Sequence, residues 1–280
     1  MQKPYQVRLE FRNPTKHFCV FAFLQTNQYQ EIKKISVDPK PTNLFFDEWG
    51  NTVAVFSEKT ILEFSYSPKP IKKPINTNWE LIDYKKNKDI LFFTKTSRFI
   101  NGKDSKIIKL ARSLVKKEQN ISKIARTFYD FVLEYLSYGK PTEGLYPYSQ
   151  TLEEKVTDCG GFSTLLLSLF QSVGIPGRLV VGFLLKQNLL PKFLSTFNFS
   201  LLTFNFFIMH AWLEILLPDN TWFPLDPSIE WRRKHGQTKR KGGFGMIPAD
   251  RLVTSFGQDF KIKLNKQNYQ IDLLQTPIYV

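Results

Sequence analysis

The sequence predicts an α+β protein in which a β domain precedes a second domain of mixed helices and strands. From residue 5 to about residue 95, short segments rich in Val, Phe, Tyr and Ile alternate with turn signals. From residue 106 onward, the apolar residues recur with the helical period of 3.6 instead. Three strand-like segments follow the helices. This change of period places the domain boundary near residues 95–103.

The N-terminal segments are typical of an antiparallel β domain. The sequences YQVRLEF, HFCVFAFLQT, NTVAVFS and TILEFSYS are separated by the turn signals NPT, DPKPT and DEWGN. We therefore expect residues 1–97 to form a sandwich of the immunoglobulin-like kind and residues 98–280 to form the second domain.

The composition limits the partners and excludes some classes of protein. The 280 residues carry a formal charge of +14, and six Lys and Arg residues lie within 232–241. We interpret this basic loop as solvated surface, with an anionic polymer as the alternative partner. Two distant cysteines form no disulfide framework, and no Cys/His cluster has zinc-site spacing, so neither metal nor cofactor is expected.

The N-terminus predicts a cytoplasmic protein. It is charged within its first ten residues and lacks the apolar run of a signal peptide. The uncharged stretch 193–209 is too short and too polar for a spanning helix, so we expect an aromatic-rich insertion or strand pair there, with membrane docking as the less favoured alternative.

The second domain begins with helices. Residues 106–118 and 121–136 have the spacing of amphipathic helices, and a third helix begins at Cys159 and is stopped by Gly174 and Pro176. Strands are predicted at 178–185, 210–217 and 221–226. A turn signal separates the last two strands, which indicates a hairpin.

Cys159 has the surroundings of a nucleophile. A helix N-terminus favours a thiolate, and Gly160 and Gly161 would leave room for a carbonyl and for backbone N–H groups to face an oxyanion. A thiol also needs a base and a group that orients the base. Of the three histidines, His17 lies in the β domain and His235 in the basic loop, whereas His210 begins a strand.

Asp226 can complete such a set, because the hairpin brings its two open ends together. Each residue also has an ordinary interpretation: a buried thiol, a core histidine and a helix-capping aspartate. The three contexts together favour an activated-thiol triad of Cys159, His210 and Asp226.

These segments resemble a known family. DCGGFSTLLLSLFQSVGIPGRLVVGF, followed by HAWLEILLPDNTWFPLDPS, is similar to the transglutaminase-like superfamily of papain-like thiol enzymes. The resemblance covers about 100–275, and FDEWGN at 46–51 resembles the β domain that precedes prokaryotic members. It implies a papain-like α+β catalytic domain.

The resemblance implies Cys159 as nucleophile, His210 as general base and then acid, and Asp226 as the residue that orients His210. Arg178 and Trp212 match family positions, and we expect Arg178 to brace its strand. Tyr146, Tyr148 and Gln150 precede the Cys159 helix at no spacing that identifies an oxyanion donor. We therefore expect the oxyanion hole to consist of the Cys159 backbone N–H and a second donor that the sequence does not identify.

The implied activity is that of a thiol-dependent amide hydrolase or acyltransferase. Cys159 would form a thioester with a peptide or protein carboxamide, and water or an amine would resolve it. The alternative is a catalytically inactive domain that binds peptide or an anionic polymer through its basic surface.

Overall fold

The computed structural model describes residues 4–11, 18–86, 88–142, 144–185 and 207–280. It is a mixed α/β structure whose helices all lie in the middle of the chain. The predicted insertion over 193–209 lies outside these ranges except for its last three residues, which are in a strand.

The β-strands are, in chain order, β1 (Tyr5–Phe11), β2 (Cys19–Phe23), β3 (Gln30–Asp38), β4 (Asn43–Phe46), β5 (Thr52–Phe56), β6 (Thr60–Pro68), β7 (Ile71–Lys72), β8 (Ser137–Tyr138), β9 (Val156–Thr157), β10 (Gly177–Leu185), β11 (Phe207–Leu216), β12 (Trp222–Leu225), β13 (Met246–Ile247), β14 (Arg251–Phe256), β15 (Phe260–Leu264), β16 (Gln267–Ile271) and β17 (Ile278–Tyr279). The α-helices are α1 (Ser105–Val115), α2 (Ile121–Tyr135), α3 (Tyr148–Glu154), α4 (Cys159–Ser172) and α5 (Pro227–Lys234). Two 3-10 helices span Leu81–Lys86 and Lys88–Thr94.

The chain forms two compact units. Unit 1 comprises Met1–Ile71, Val181–His210 and Pro248–Val280, and unit 2 comprises Lys72–Val180 and Ala211–Ile247. The sequence-based division into a domain of residues 1–97 and a domain of residues 98–280 stays a prediction. It concerns which segments fold on their own.

Unit 1 contains two antiparallel sheets with a common apolar core. The strand orders are β1-β6-β3 and β17-β2-β5-β4. Alternate residues of β1 are buried, as the period of two predicts, and they share a core cluster with Phe21 and Phe56 of the other sheet. The described strands therefore pack as a β domain, and its immunoglobulin-like topology stays a prediction.

Later segments of the chain are built into the same unit. The side chain of Gln30 accepts from the backbone N–H of Val253 (2.8 Å) and donates to its carbonyl (2.9 Å). Asn51 bonds to both backbone groups of Phe256 in the same way (2.8 and 2.7 Å). These buried amides satisfy backbone groups of β14, so β14 is bound by side chains from the N-terminal part of the chain, one on β3 and one just before β5.

Unit 2 is organised around α4. Every residue of α4 from Gly160 to Phe170 is buried, and α1, α2, α3 and α5 all contact it. The helix ends at Ser172, and Gly174 has the left-handed φ of +83° that closes such a terminus. The predicted helices are thus confirmed, with the difference that α4 is a central helix with no wet face.

The predicted hairpin is also present. Strands β11 and β12 pair antiparallel from Leu213 opposite Leu225 to Leu216 opposite Trp222. Asn220, in the turn, has a left-handed φ of +63°. The register places Asp226 directly after the residue that pairs with Leu213.

Candidate active site

Cys159 is the first residue of α4, and Asp158 caps that helix. The Asp158 carboxylate accepts from the backbone N–H groups of Gly160 (2.8 Å) and Gly161 (3.2 Å). From the sequence, we expect these N–H groups to face an oxyanion. That expectation is wrong, because the capping carboxylate already accepts from both of them.

The two glycines are needed for packing. A Cβ on Gly160 would lie 2.8 Å from Cδ1 of Leu145, and a Cβ on Gly161 would overlap the side chain of Thr157. Both glycines are buried. They allow the start of α4 to lie against its neighbours.

The pKa of the Cys159 thiol is raised to about 12, although the residue is partly exposed. Burial by surrounding protein atoms is the main cause, and the charges of Asp158 and Asp226 add to it. Hydrogen bonds from the backbone N–H groups of Ala211 and Gly160 act in the opposite direction. The helix N-terminus therefore does not lower the pKa of this thiol as expected, because burial raises it and the negative charge of Asp158 at that terminus adds to the rise.

His210 lies on β11 and is 2% exposed. The next residue, Ala211, supplies the N–H group that bonds to the Cys159 sulfur. The His210 carbonyl accepts from Nε2 of Gln275 at 3.2 Å, and the same amide donates to the carbonyl of Gly182 (2.6 Å). The backbone at His210 is therefore anchored to the neighbouring strand.

Asp226 is fully buried and is the N-cap of α5. Its Oδ1 accepts from the hydroxyl of Ser228 and from the backbone N–H of Ile229, both at 3.2 Å. Its charge raises the pKa of the Cys159 thiol, so the carboxylate lies within electrostatic range of the sulfur. The ordinary interpretation, a capping aspartate before proline, is thus correct, and it is compatible with a role at Cys159.

The three residues considered as oxyanion donors make other hydrogen bonds. The Tyr146 hydroxyl donates to the carbonyl of Lys140 (3.0 Å). The Tyr148 hydroxyl donates to Asp104 (2.9 Å), and Nε2 of Gln150 donates to Glu154 (2.8 Å). These contacts direct their polar groups to structural partners.

Arg178 braces its strand, as expected. Its Nε and Nη2 atoms lie 2.7 and 2.6 Å from one oxygen of Glu214, which is fully buried. The guanidinium also lies 3.9 Å from the ring centroid of Trp222. The buried pair thus connects β10, β11 and β12, and loss of one partner would leave an uncompensated charge.

The predicted basic loop, residues 232–241, begins as part of a helix. Arg232 and Arg233 belong to α5, and Nη1 of Arg233 donates to the carbonyl of Gly242 (2.6 Å). Lys234 lies 3.3 Å from Glu230, and Arg240 is buried. Part of this charge therefore has partners within the protein.

Two further residues lie near Cys159 in the sequence or in the fold, Asp158 and Tyr138. The capping role of Asp158 was indicated by an aspartate directly before an apolar helix. Tyr138 lies on β8, which pairs parallel with β9, so that Tyr138 is opposite Thr157. The two-residue bridge itself leaves no periodic signal, although the segment IARTFYDFVLEYLSYGKP, which contains Tyr138, resembles the family's helix that leads to a tyrosine before the catalytic loop.

Two further observations concern metals and membranes. Within the described ranges, no group of three or more His, Cys, Asp and Glu side chains could hold a metal ion. Of the helices in those ranges, none combines the length and the apolar character of a membrane span.

Comparison with known proteins identifies the class of domain. Residues 108–227 match the sequence model of the Transglutaminase-like superfamily. These residues therefore form a transglutaminase-like domain, as the resemblance implied. No protein of curated function matches the chain.

Solved structures extend the comparison beyond that domain. A protein of Cytophaga hutchinsonii, described as a candidate cysteine protease, is 16% identical with a TM-score of 0.57, over 99% of this chain and 93% of that one. The periplasmic domain of TgpA from Pseudomonas aeruginosa is 11% identical over 82% of this chain and 71% of that one, with a TM-score of 0.46. Red sea bream transglutaminase is 14% identical over 92% of this chain and 57% of that one, with a TM-score of 0.33. The likeness to the Cytophaga hutchinsonii protein shows a common fold.

Proposed function

We propose that this protein is a thiol-dependent amide hydrolase or acyltransferase that acts on peptide or protein carboxamides. The observation that carries the proposal is the position of Cys159. It is a partly exposed thiol at the start of a buried helix, hydrogen-bonded to the residue after His210 and within electrostatic range of Asp226. A merely structural thiol has no need of such neighbours.

In the proposed mechanism, His210 takes the thiol proton as the Cys159 sulfur attacks the carbonyl carbon. The tetrahedral intermediate then collapses, the C–N bond breaks, and His210 gives the proton to the leaving amine. Asp226 orients the imidazole and stabilises its charged form. Because the thiol pKa is raised, the thiolate does not accumulate at rest, and proton removal accompanies attack.

The thioester would then react with water or with a second amine. Hydrolysis gives a protease or amidase, and aminolysis gives a crosslinking enzyme. Which reaction dominates depends on how well the acyl-enzyme excludes water.

The test is the capture of the acyl-enzyme. The protein is mixed with a glutamine-containing peptide amide or an activated peptide ester, quenched in acid, and its intact mass is measured. We expect a mass increase equal to the acyl group on Cys159, and none in the Cys159→Ala variant. Added methylamine would divert the product to the methylamide if an amine can resolve the thioester. Absence of the adduct with every probe would contradict the proposal.

The second candidate is an inactive domain that binds peptide or an anionic polymer. The internal partners of Arg233 and Lys234 argue against the polymer, since they reduce the charge available to a ligand. The cytoplasmic location also stays a prediction.

A further inference from the structure

Tyr138 lies beside the segment that leads into Cys159. Strand β8 pairs parallel with β9, with Ser137 opposite Val156 and Tyr138 opposite Thr157. The backbone N–H of Gly139 donates to the carbonyl of Thr157 at 2.8 Å. Only Asp158 separates Thr157 from the nucleophile, so this short bridge fixes the backbone of Tyr138 near the sulfur.

The ring of Tyr138 is held by two side chains. Its centroid lies 6.4 Å from that of Phe162, one helical turn after Cys159. Cζ of Arg232, on α5, lies 4.6 Å from the Tyr138 ring centroid. A ring held in this way has few orientations, and its hydroxyl is therefore preorganised.

The electrostatics agree with this placement. Burial is the main cause that raises the pKa of Tyr138, and the charge of Cys159 is the next. Arg232 acts in the opposite direction, so its positive charge makes the phenol a stronger hydrogen-bond donor. The phenol stays protonated through the neutral range and can donate throughout it.

An acyl transfer enzyme needs donors for the negative oxygen of its tetrahedral intermediate, and the sequence leaves open the donor that acts beside the Cys159 backbone N–H. The N–H groups of Gly160 and Gly161 donate to Asp158, and Tyr146 and Tyr148 donate elsewhere. We propose that the Tyr138 hydroxyl donates a hydrogen bond to this oxyanion. When the Cys159 sulfur bonds to the carbonyl carbon, the π-electron pair moves to oxygen, and Tyr138 stabilises that charge until the C=O bond re-forms.

This inference rests on the proposed function and is tested with Tyr138→Phe. The matched control is Tyr135→Phe, which removes a phenol that donates to the carbonyl of Leu152 (2.8 Å). With an activated peptide ester, we expect kcat for acylation to fall roughly 100-fold or more in Tyr138→Phe, with KM little changed, as for loss of one oxyanion donor. Tyr135→Phe should retain the wild-type rate.

Alkylation by iodoacetamide separates this role from others, because that displacement at a saturated carbon forms no oxyanion. Cys159 in Tyr138→Phe should alkylate at the wild-type rate. Acylation of Tyr138→Phe at the wild-type rate would overturn the inference. An equal loss of alkylation and acylation would also overturn it, because the substitution would then act on the reactivity of the thiol and not on the oxyanion.

A wild-type protein that alkylates but never acylates would overturn the proposed function itself, and this inference with it. If Tyr138→Phe does not fold, Arg232→Met serves instead. It keeps the hydroxyl and removes the cation over the ring, so acylation should fall while alkylation is unchanged. Equal acylation rates in the wild-type protein and in Arg232→Met would then contradict the proposed role of Tyr138 as an oxyanion donor.

Discussion

The two cysteines have the same raised pKa, about 12, for different reasons. Cys19 lies on β2 in the apolar core of unit 1, and burial is the main cause there. Cys159 is partly exposed, and two carboxylates add to the effect of burial. The same pKa can therefore belong to an inert thiol and to a proposed nucleophile.

What distinguishes the two sites is the set of neighbouring groups. The hydrogen-bond partner of Cys19 is a tyrosine, Tyr279. Cys159 instead has two charged carboxylates nearby and backbone donors, one of which belongs to Ala211, the residue after His210. A nucleophile that is protonated at rest needs a base at the moment of attack. The proposed reactivity of Cys159 therefore depends on its partners and not on a preformed thiolate.

The sharpest test of this assignment is His210→Ala. Removal of the base should lower acylation of Cys159 by an activated peptide ester roughly 10²- to 10⁴-fold, measured by the mass of the acyl-enzyme over time. The matched control is His235→Ala. His235 stacks on Trp231 with ring centroids 3.7 Å apart, and its loss should leave acylation unchanged.

Circular dichroism must show that His210→Ala is folded, because the residue is buried. A folded variant that acylates at the wild-type rate would show that the triad is wrong. Cys159 would then resemble Cys19 in chemistry as well as in pKa.

Competitive alkylation compares the two thiols directly. Cys19 is fully buried and can react only when its sheet opens, so we expect iodoacetamide to label Cys159 at least about 100-fold faster. Peptide mass spectrometry gives both rates in one sample, and labelling in denaturant should make them equal.

The pH dependence of that labelling follows from the raised pKa. The thiolate fraction of Cys159 increases with pH up to about pH 12, so its labelling rate should keep rising above pH 8. A plateau in the labelling rate below pH 8 would indicate a stable thiolate. It would contradict the claim that Cys159 is protonated at rest and needs a base for its reaction.

Asp226→Asn should lower acylation less than His210→Ala does. The amide oxygen can still cap α5, but the charge that stabilises protonated His210 is lost, so acylation should fall about tenfold. The acid limb of the pH–rate profile should move to lower pH. An unchanged rate and profile would remove Asp226 from the mechanism.

Asp226→Ala separates the two roles of this carboxylate. It removes the cap as well, which should lower the free energy of unfolding by about 1 kcal/mol in urea titrations, whereas Asp226→Asn should not.

Much of the fold could be predicted from local patterns. The spacing of apolar residues gave α1, α2 and α4 to within a few residues, and the Pro-Asp-Asn turn gave the β11–β12 hairpin. These elements are set by side-chain periodicity and turn chemistry, which act between near neighbours. The contribution of β14 to unit 1 depends on contacts of Gln30 and Asn51 with residues some 200 positions away, which no local pattern encodes.

The candidate site was predictable in its residue types but not in its electrostatics. A glycine pair after a cysteine suggests access, and only the packing of Thr157 and Leu145 shows that the space is filled. Similarly, a helix start favours a thiolate unless a neighbouring carboxylate is present. Asp158 is visible in the sequence, yet its effect on the pKa of Cys159 depends on three-dimensional distance.

The capping role of Asp226 has a consequence for how related sequences should be compared. Because this carboxylate also holds the start of α5, selection for folding alone would preserve it after catalysis was lost. Its presence in a homologue is therefore no sign of activity. Cys159, the proposed nucleophile, caps no helix, so replacement at that position is the better marker of a relative that has become a binding protein.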